Sequence, residues 1–445
     1  MTPMEAGRSR SAPSPLNPMR LQTAVELAAR VRAGKATAEA TVRVYIDAVL
    51  SGDGPLQAFA AFDPEVALEA ARAVDSARNR GPLAGVPVAV KDVIDTAQYE
   101  TAYGSAIYRG HRPALDAACV TLLRQSGAVI LGKTVTAELA TFAPGPTRNP
   151  HALSHTPGGS SSGSAAAVAA GLAPLALGTQ TAGSVIRPAS FCGVVGYKPS
   201  PRCVPRSGVK GTSDTLDEVG AFATSVDDIA LIAAVLAQQP EWASLPALGR
   251  AGLPPRVGWT LTSRGEHVDT DMRKAVTTAA ERARQCGAPV SALAWPNDFD
   301  RLFDAQRTIQ FAETARALSA EFSYRRADLS VQLIEVIQEA HAFDPARYPK
   351  ALAVGRACVA KIESLFEGVD VIVAPSAPGE APASLTTTGD PLFNRPWQLL
   401  GCPVIGVPFG RGLHNLPLGV SLVARPGQDA LLIEAAAWLE RCWVS

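Results

Sequence analysis

Four short apolar runs set the limits on what this chain can fold into: "GVPVAV" (85–90), "GAVILG" (127–132), "PRVGWT" (255–260) and "VDVIVAPS" (369–376). Each is bounded by glycine or proline and too short for a helix, and helical patterning lies between them. Runs without polar alternation leave no face for water, so they belong inside a covered sheet. Similar texture returns over 403–423. The expectation is an α/β protein with a large mixed, mostly parallel central sheet and helices on both faces. Residues 238–330 are more polar and more helical, and read as an excursion from a single domain spanning 21–445.

The chain enters this frame through helices. Residues 21–33 carry apolar side chains at helical spacing and stop at Gly34, and a second helix is expected from Thr37 to Leu50. Asp63, Pro64 and Glu65 supply an N-cap, a first-turn proline and an acid at the positive helix end. Residues 1–20 are rich in proline, serine and arginine without an apolar core, which predicts a flexible leader and no signal peptide.

Charge and cysteine usage exclude several functions. Lys plus Arg and Asp plus Glu both number 41, so there is no net field for nucleic acid or an anionic membrane. No segment reaches the roughly 18 apolar residues a membrane helix needs. The seven cysteines form no C-x-x-C pair, which argues against a disulfide framework or zinc site and for a reducing cytoplasm.

Two motifs mislead. "GAVILGKT" (127–134) satisfies the G-x-x-x-x-G-K-[ST] phosphate-loop pattern with Lys133 on the phosphates, but its four intervening residues themselves read as the strand. "GSSSG" (159–163) satisfies G-x-S-x-G with Ser161 as nucleophile, but loop texture precedes it where a strand is required. Only His267, His341 and His414 follow it, none in a telling motif.

Three other elements fit one chemistry. Lys91 ends the apolar run "VPVAV", the loop "PGGSSSGSAAAVAAG" (157–171) leads into an alanine-rich buried helix, and "GTQTAGSVIRPASFCG" (178–193) is a second hydroxyl-rich turn. Together they suggest a hydrolase without histidine: one hydroxyl attacks a carbonyl, a second relays the proton, and a neutral lysine accepts it. An exposed lysine titrates near 10.4, so the amine must be buried to serve near neutrality.

These segments, with "GVPVAVKDVID" and "GYKPS", resemble the amidase signature family of Ser-Ser-Lys amide hydrolases over nearly the whole chain after residue 20. The "TTTGDPLFNRPWQLLGCPV" stretch (386–404) and "NPHALSHTPGG" are most similar to its malonamidase-like members. The resemblance implies Ser184 as nucleophile, Lys91 as general base and Ser160, 24 residues before Ser184, as relay behind a cis peptide bond. It also implies an oxyanion hole of Thr181, Ala182, Gly183 and Ser184. Ala182 replaces a frequent glycine and would be strained at positive φ.

Gly159, Ser161, Thr179 and Arg187 are expected at the substrate, with Ser161 also orienting the triad and Ser162 and Ser164 capping the helix. In malonamidase-like members the arginine matching Arg187 binds a carboxylate, for which a guanidinium fork is suited; the competing reading is a structural salt bridge. Asp92, Asp95 and Glu138 are assigned structural roles, since a carboxylate beside Lys91 would favour its charged form. His151 and His155 read as turn or packing residues, and Cys192 as a buried small residue. The function implied is hydrolysis of a small amide through an acyl-enzyme, without metal or cofactor. The partners implied are that substrate and a second copy of the chain, with no nucleic acid or membrane. The alternatives are the glutaminase component of a tRNA-dependent amidotransferase and a phosphate-loop nucleotide-binding protein.

Overall fold

The apolar runs become strands of one eleven-stranded sheet in the computed structural model, which describes residues 22–444. In chain order the strands are β1 (Phe59–Phe62), β2 (Pro87–Lys91), β3 (Val129–Thr134), β4 (Leu175–Gln180), β5 (Val195–Lys198) and β6 (Glu218–Ala223). They continue with β7 (Val257–Trp259), β8 (Val290–Ala292), β9 (Val371–Pro375), β10 (Val404–Arg411) and β11 (Pro417–Val423). Their order across the sheet is β1-β3-β2-β4-β6-β5-β10-β11-β9-β7-β8. The leader, 1–20, lies outside the described residues.

The sheet is mixed and covered by helices, but it is not mostly parallel. Four pairings are parallel (β2 with β3 and β4, β7 with β8 and β9) and six antiparallel among the described residues. The antiparallel members β6 and β11 are buried at every residue, so, Glu218 and Ser421 apart, they carry the same apolar texture as parallel strands. The helical segment 238–330 rejoins this sheet, giving it β7 and β8 at one edge.

Local chemistry accounts for the entry. Helix Ala24–Arg32 starts at a capping box of Thr23 and Glu26, and Asp63 accepts from the Glu65 and Val66 amides to start Pro64–Ser76. Helix Ala38–Leu56 runs past the expected end at Leu50, and Gln57 closes it in the left-handed region. The alanine-rich helix Ser162–Ala169 is buried throughout its first seven residues.

That helix sits close because Gly163 has no side chain. A Cβ there would collide with the Ala58 carbonyl oxygen and lie 2.5 Å from the Val135 nitrogen, both backbone atoms. Gly163→Ala should therefore lower unfolding stability by about 1–3 kcal/mol. Gly54→Ala, inside a helix with nothing within 4 Å, should raise it by about 0.5–1 kcal/mol. Denaturant titration of the two variants checks the contrast.

Candidate active site

The site lies where β2 and β4, parallel neighbours, end side by side. Lys91 is the last residue of β2 and is fully buried. Its Nζ lies 2.7 Å from Ser160 Oγ, 2.7 Å from Thr179 Oγ1 and 3.4 Å from the Thr179 carbonyl oxygen. A neutral amine has two N–H donors and one lone pair, so Ser160 can donate to the nitrogen while both N–H groups stay on Thr179. Burial pushes the Lys91 amine down from 10.5 to about 7; the Asp217 carboxylate opposes this and the Arg187 charge adds to it.

The bond between Gly159 and Ser160 is cis, as the resemblance implies. The Ser160 carbonyl accepts from the Ala137 amide at 3.0 Å, and the Ser161 amide donates to the Ser184 carbonyl at 3.4 Å. These bonds bring Lys91, Ser160 and the Ser184 backbone into one cluster. Ser184 is 9 % exposed against 1 % for Ser160 and 0 % for Lys91, so access increases along the series.

The other serines of the loop serve the scaffold. Ser161 is fully buried; its hydroxyl donates to the Thr179 carbonyl at 3.2 Å and accepts from the Thr179 amide at 3.3 Å. Its hydroxyl is thus committed to Thr179, which fits the orienting role. Thr179 likewise commits its hydroxyl to Lys91. Ser162 and Ser164 do not cap the helix: Ser162 donates to the Val135 carbonyl at 3.3 Å and Ser164 to the Leu177 carbonyl at 2.8 Å. They fasten the helix sideways to the strand ends.

Thr181 to Ser184 form the turn between β4 and helix Ile186–Cys192. The adjacent Gln180 and two side chains from distant segments hold it. Gln180 Oε1 accepts from the Val185 and Ile186 amides at 2.9 and 3.0 Å, and Gln306 Nε2 donates to the Thr181 carbonyl at 3.0 Å. Asp217 accepts from the Thr181 hydroxyl and from the Thr212 and Ser213 amides at 2.7 and 2.9 Å. Arg395 donates to Gln306 Oε1 at 2.9 Å. Ala182 is not at positive φ, so the strain raised for it does not arise. At Gly183 a Cβ would stand 3.0 Å from Asn394 Nδ2 and 3.0 Å from Pro391 Cβ, so the turn packs tightly under residues 391–394.

Arg187 is buried in that same helix. Its Nε donates to the Thr388 carbonyl at 2.7 Å, and one terminal nitrogen donates to the Gly159 carbonyl at 2.7 Å and Thr388 Oγ1 at 3.2 Å. Nη1 is buried without a hydrogen-bond partner. No carboxylate among the described residues lies within 4.0 Å of it, which removes the structural salt bridge. Burial pulls the guanidinium down to about 10; Asp390 opposes this and Arg395 adds to it.

The competing motifs fall to geometry. Residues 129–134 are strand, and Lys133 is buried against Asp92 at 3.1 Å, so the phosphate-loop reading fails. Asp95 accepts from the Tyr103 hydroxyl at 2.8 Å and Glu138 from the Ser330 amide at 3.1 Å, both structural. His151 lies 2.9 Å from the Cys192 carbonyl and His155 Nδ1 3.1 Å from Ser154 Oγ. Cys192 is buried and donates to the Pro157 carbonyl. No metal-holding cluster of His, Cys, Asp or Glu and no helix long and apolar enough to cross a membrane occurs among the described residues.

Asp217, Gln306 and Arg395 were missed at the level of sequence. One signal existed: Gln306, Gln310 and Glu313 follow helical spacing within Arg301–Ala317 and are all buried, a polar stripe where apolar residues would normally pack.

A covered mixed sheet with these strand-end loops is the frame of the amidase fold. The chain belongs to the amidase family, whose pattern matches residues 40–433, and is accordingly a hydrolase of amide C–N bonds. It is 34 % identical over 477 aligned positions to a glutamyl-tRNA(Gln) amidotransferase subunit of Oleidesulfovibrio alaskensis, covering 94 % of this chain and 97 % of that protein. The solved peptide amidase of Stenotrophomonas maltophilia superposes with a TM-score of 0.83 at 30 % identity, covering 96 % and 98 % of the two chains. A structure described as a vestigial complex revealing the origins of an s-triazine catabolic enzyme gives a TM-score of 0.87 at 29 % identity, covering 94 % and 98 %. These matches support the amidase signature resemblance and add no support for its malonamidase-like branch.

Burial pushes the Asp217 carboxyl up, donors on both of its oxygens oppose this, and its charge when ionised raises the Lys91 pKa. Asp217→Asn should therefore move the Lys91 midpoint below about 7. Nuclear magnetic resonance of labelled lysine side chains across pH reads the shift directly.

Proposed function

We propose that the chain hydrolyses a small amide through an acyl-enzyme, with Ser184 as nucleophile, Ser160 as proton relay and Lys91 as general base. The observation that carries this is the 2.7 Å contact between Ser160 Oγ and a fully buried Lys91 amine held near neutral pKa. In the first step Ser184 Oγ attacks the amide carbon and its proton passes to Ser160, whose own proton passes to Lys91 Nζ. The amine leaving group takes a proton back along the same path as the C–N bond breaks. Water then repeats the attack on the ester and frees Ser184.

The developing oxyanion would be met by backbone N–H groups of the Thr181–Ser184 turn. Gln180 already occupies the Val185 and Ile186 amides, which directs the donor role to the preceding residues. Arg187 supports a carboxylate on the substrate, because a buried guanidinium with an unpartnered N–H and no paired carboxylate gains most from an anion. No metal or cofactor enters this scheme. A cytoplasmic setting agrees with the absence of disulfides among the described cysteines.

A second reading has the full-length similarity to glutamyl-tRNA(Gln) amidotransferase components in its favour: a glutaminase that delivers ammonia to a partner. Ammonia release from the isolated chain with small amides supports the first reading. Glutaminase activity that appears only with a partner protein supports the other.

Ser184→Ala should lower kcat by about 10³-fold or more while leaving the fold intact; an active variant overturns the nucleophile. With wild type, kcat/KM should rise with pH through about 7 and then level off as Lys91 loses its proton. Arg187→Ala should reduce kcat/KM about 10- to 100-fold more on carboxylated amides than on neutral ones. Parallel ammonia assays on both substrate types measure the difference.

A further inference from the structure

Far from the proposed site, two cysteines separated in sequence meet at the C-terminal end of helix Thr270–Gln285. Cys286 caps that helix and is exposed, whereas Cys442, on helix Asp429–Val444, is buried. Burial pushes the Cys442 thiol up to about 12, and the neighbouring Cys286 thiol adds to that push. Neither is joined in a disulfide in the structure.

The backbone around them is fixed from both helices. Trp443 Nε1 donates to the Ala279 carbonyl at 3.1 Å, and Arg282 donates to the Trp443 carbonyl at 2.7 Å. Ala279, Arg282 and Cys286 follow helical spacing and so share one face, turned toward residues 442 and 443. Arg282 also lies over the Phe409 ring at 5.5 Å, and Phe409 packs edge-on against Trp443 at 5.3 Å. The thiols thus meet in a braced contact between two packed helices, with one sulfur open to solvent.

We propose that Cys286 and Cys442 are the site of a reversible disulfide, formed by exchange with a low-molecular-weight disulfide, that latches the C-terminal helix to its neighbour. Cys286, the exposed partner, loses its proton and attacks one sulfur of the small disulfide, whose S–S bond breaks to release one small thiolate. Cys442 then loses its proton and attacks the Cys286 sulfur, displacing the second small thiolate. The two protons end on the released thiols, and two electrons have moved from the protein to the small disulfide. Burial favours the protonated Cys442 thiol, which makes Cys286 the entry point. The bond closes a long loop, so the unfolded chain loses the greater freedom.

The test treats reduced full-length protein with oxidised glutathione and follows titratable thiols, linked peptides and the thermal midpoint. Wild type should lose two of its seven thiols, yield a peptide joining Cys286 to Cys442, and melt higher, with dithiothreitol reversing all three. Cys286→Ser, an exposed and mild change, should abolish the link and the rise. Cys442→Ser should stop at a glutathione adduct on Cys286. A wild-type protein that keeps the adduct on Cys286, dimerises through it, or retains both thiols overturns the proposal. Amide hydrolysis is not needed for any of these readouts, so the result stands apart from the functional reading above.

Discussion

Everything at the site depends on removing one ammonium group from water without giving it a counter-ion. Two buried lysines at the ends of neighbouring strands show what that choice means. Lys133, on β3, has the Asp92 carboxylate at 3.1 Å, and the pair neutralises itself in place. Lys91, on β2, has two hydroxyls and a carbonyl instead. Those partners satisfy the amine in either protonation state, so burial dominates the balance, with Asp217 opposing and Arg187 adding to it, and the amine comes to about 7. The same residue type at equivalent depth is a strut in one strand and a candidate base in the next. What separates them is a carboxylate moved by one strand spacing.

The Thr181–Ser184 turn, proposed above to meet the oxyanion, has the opposite requirement, because it must not move. Its amides can be aimed only if the carbonyls and side chains behind them are fixed, and the fixing groups come from four separate parts of the chain. Gln180 locks the start of the following helix, Asp217 grips the Thr181 hydroxyl, Gln306 holds the Thr181 carbonyl, and Asn394 lies against Gly183. Gln306 is itself braced by Arg395. Hydrogen-bonded chains of this kind, buried except at Arg395, are rigid because any displacement breaks several bonds in a dry interior.

This division explains what could be read from the sequence. Lys91, Ser160 and Ser184 could be proposed from sequence because each sits in a contiguous motif whose residue types are unusual together: a lysine closing an apolar run, and two turns dense in glycine and hydroxyls. Asp217, Gln306 and Arg395 could not, since each acts through one long-range contact that leaves no local pattern. The sheet was legible as buried, yet its direction was not. β6 and β11 are covered on both faces, so polar alternation, the usual mark of an antiparallel strand, is absent from them. The serine run was half legible. Its position gave Ser160, but the tasks of Ser162 and Ser164 depend on carbonyls of 135 and 177, which only the folded chain brings near.

Arg187 completes the argument about charge. A buried guanidinium is expensive to hold, on the order of several kcal/mol, when no carboxylate pairs with it, and Asp390 acts on Arg187 only from beyond ion-pair distance. Here it is held by two carbonyls and a hydroxyl, which satisfy part of its fork and cancel none of its charge. Its field also depresses the Lys91 pKa, so it helps to keep that amine neutral. An incoming carboxylate would both pair with Nη1 and relieve this field. On the proposed reading, binding of an anionic substrate and the proton affinity of Lys91 would be coupled through one side chain, the anion making the amine a stronger base when the amide is in place.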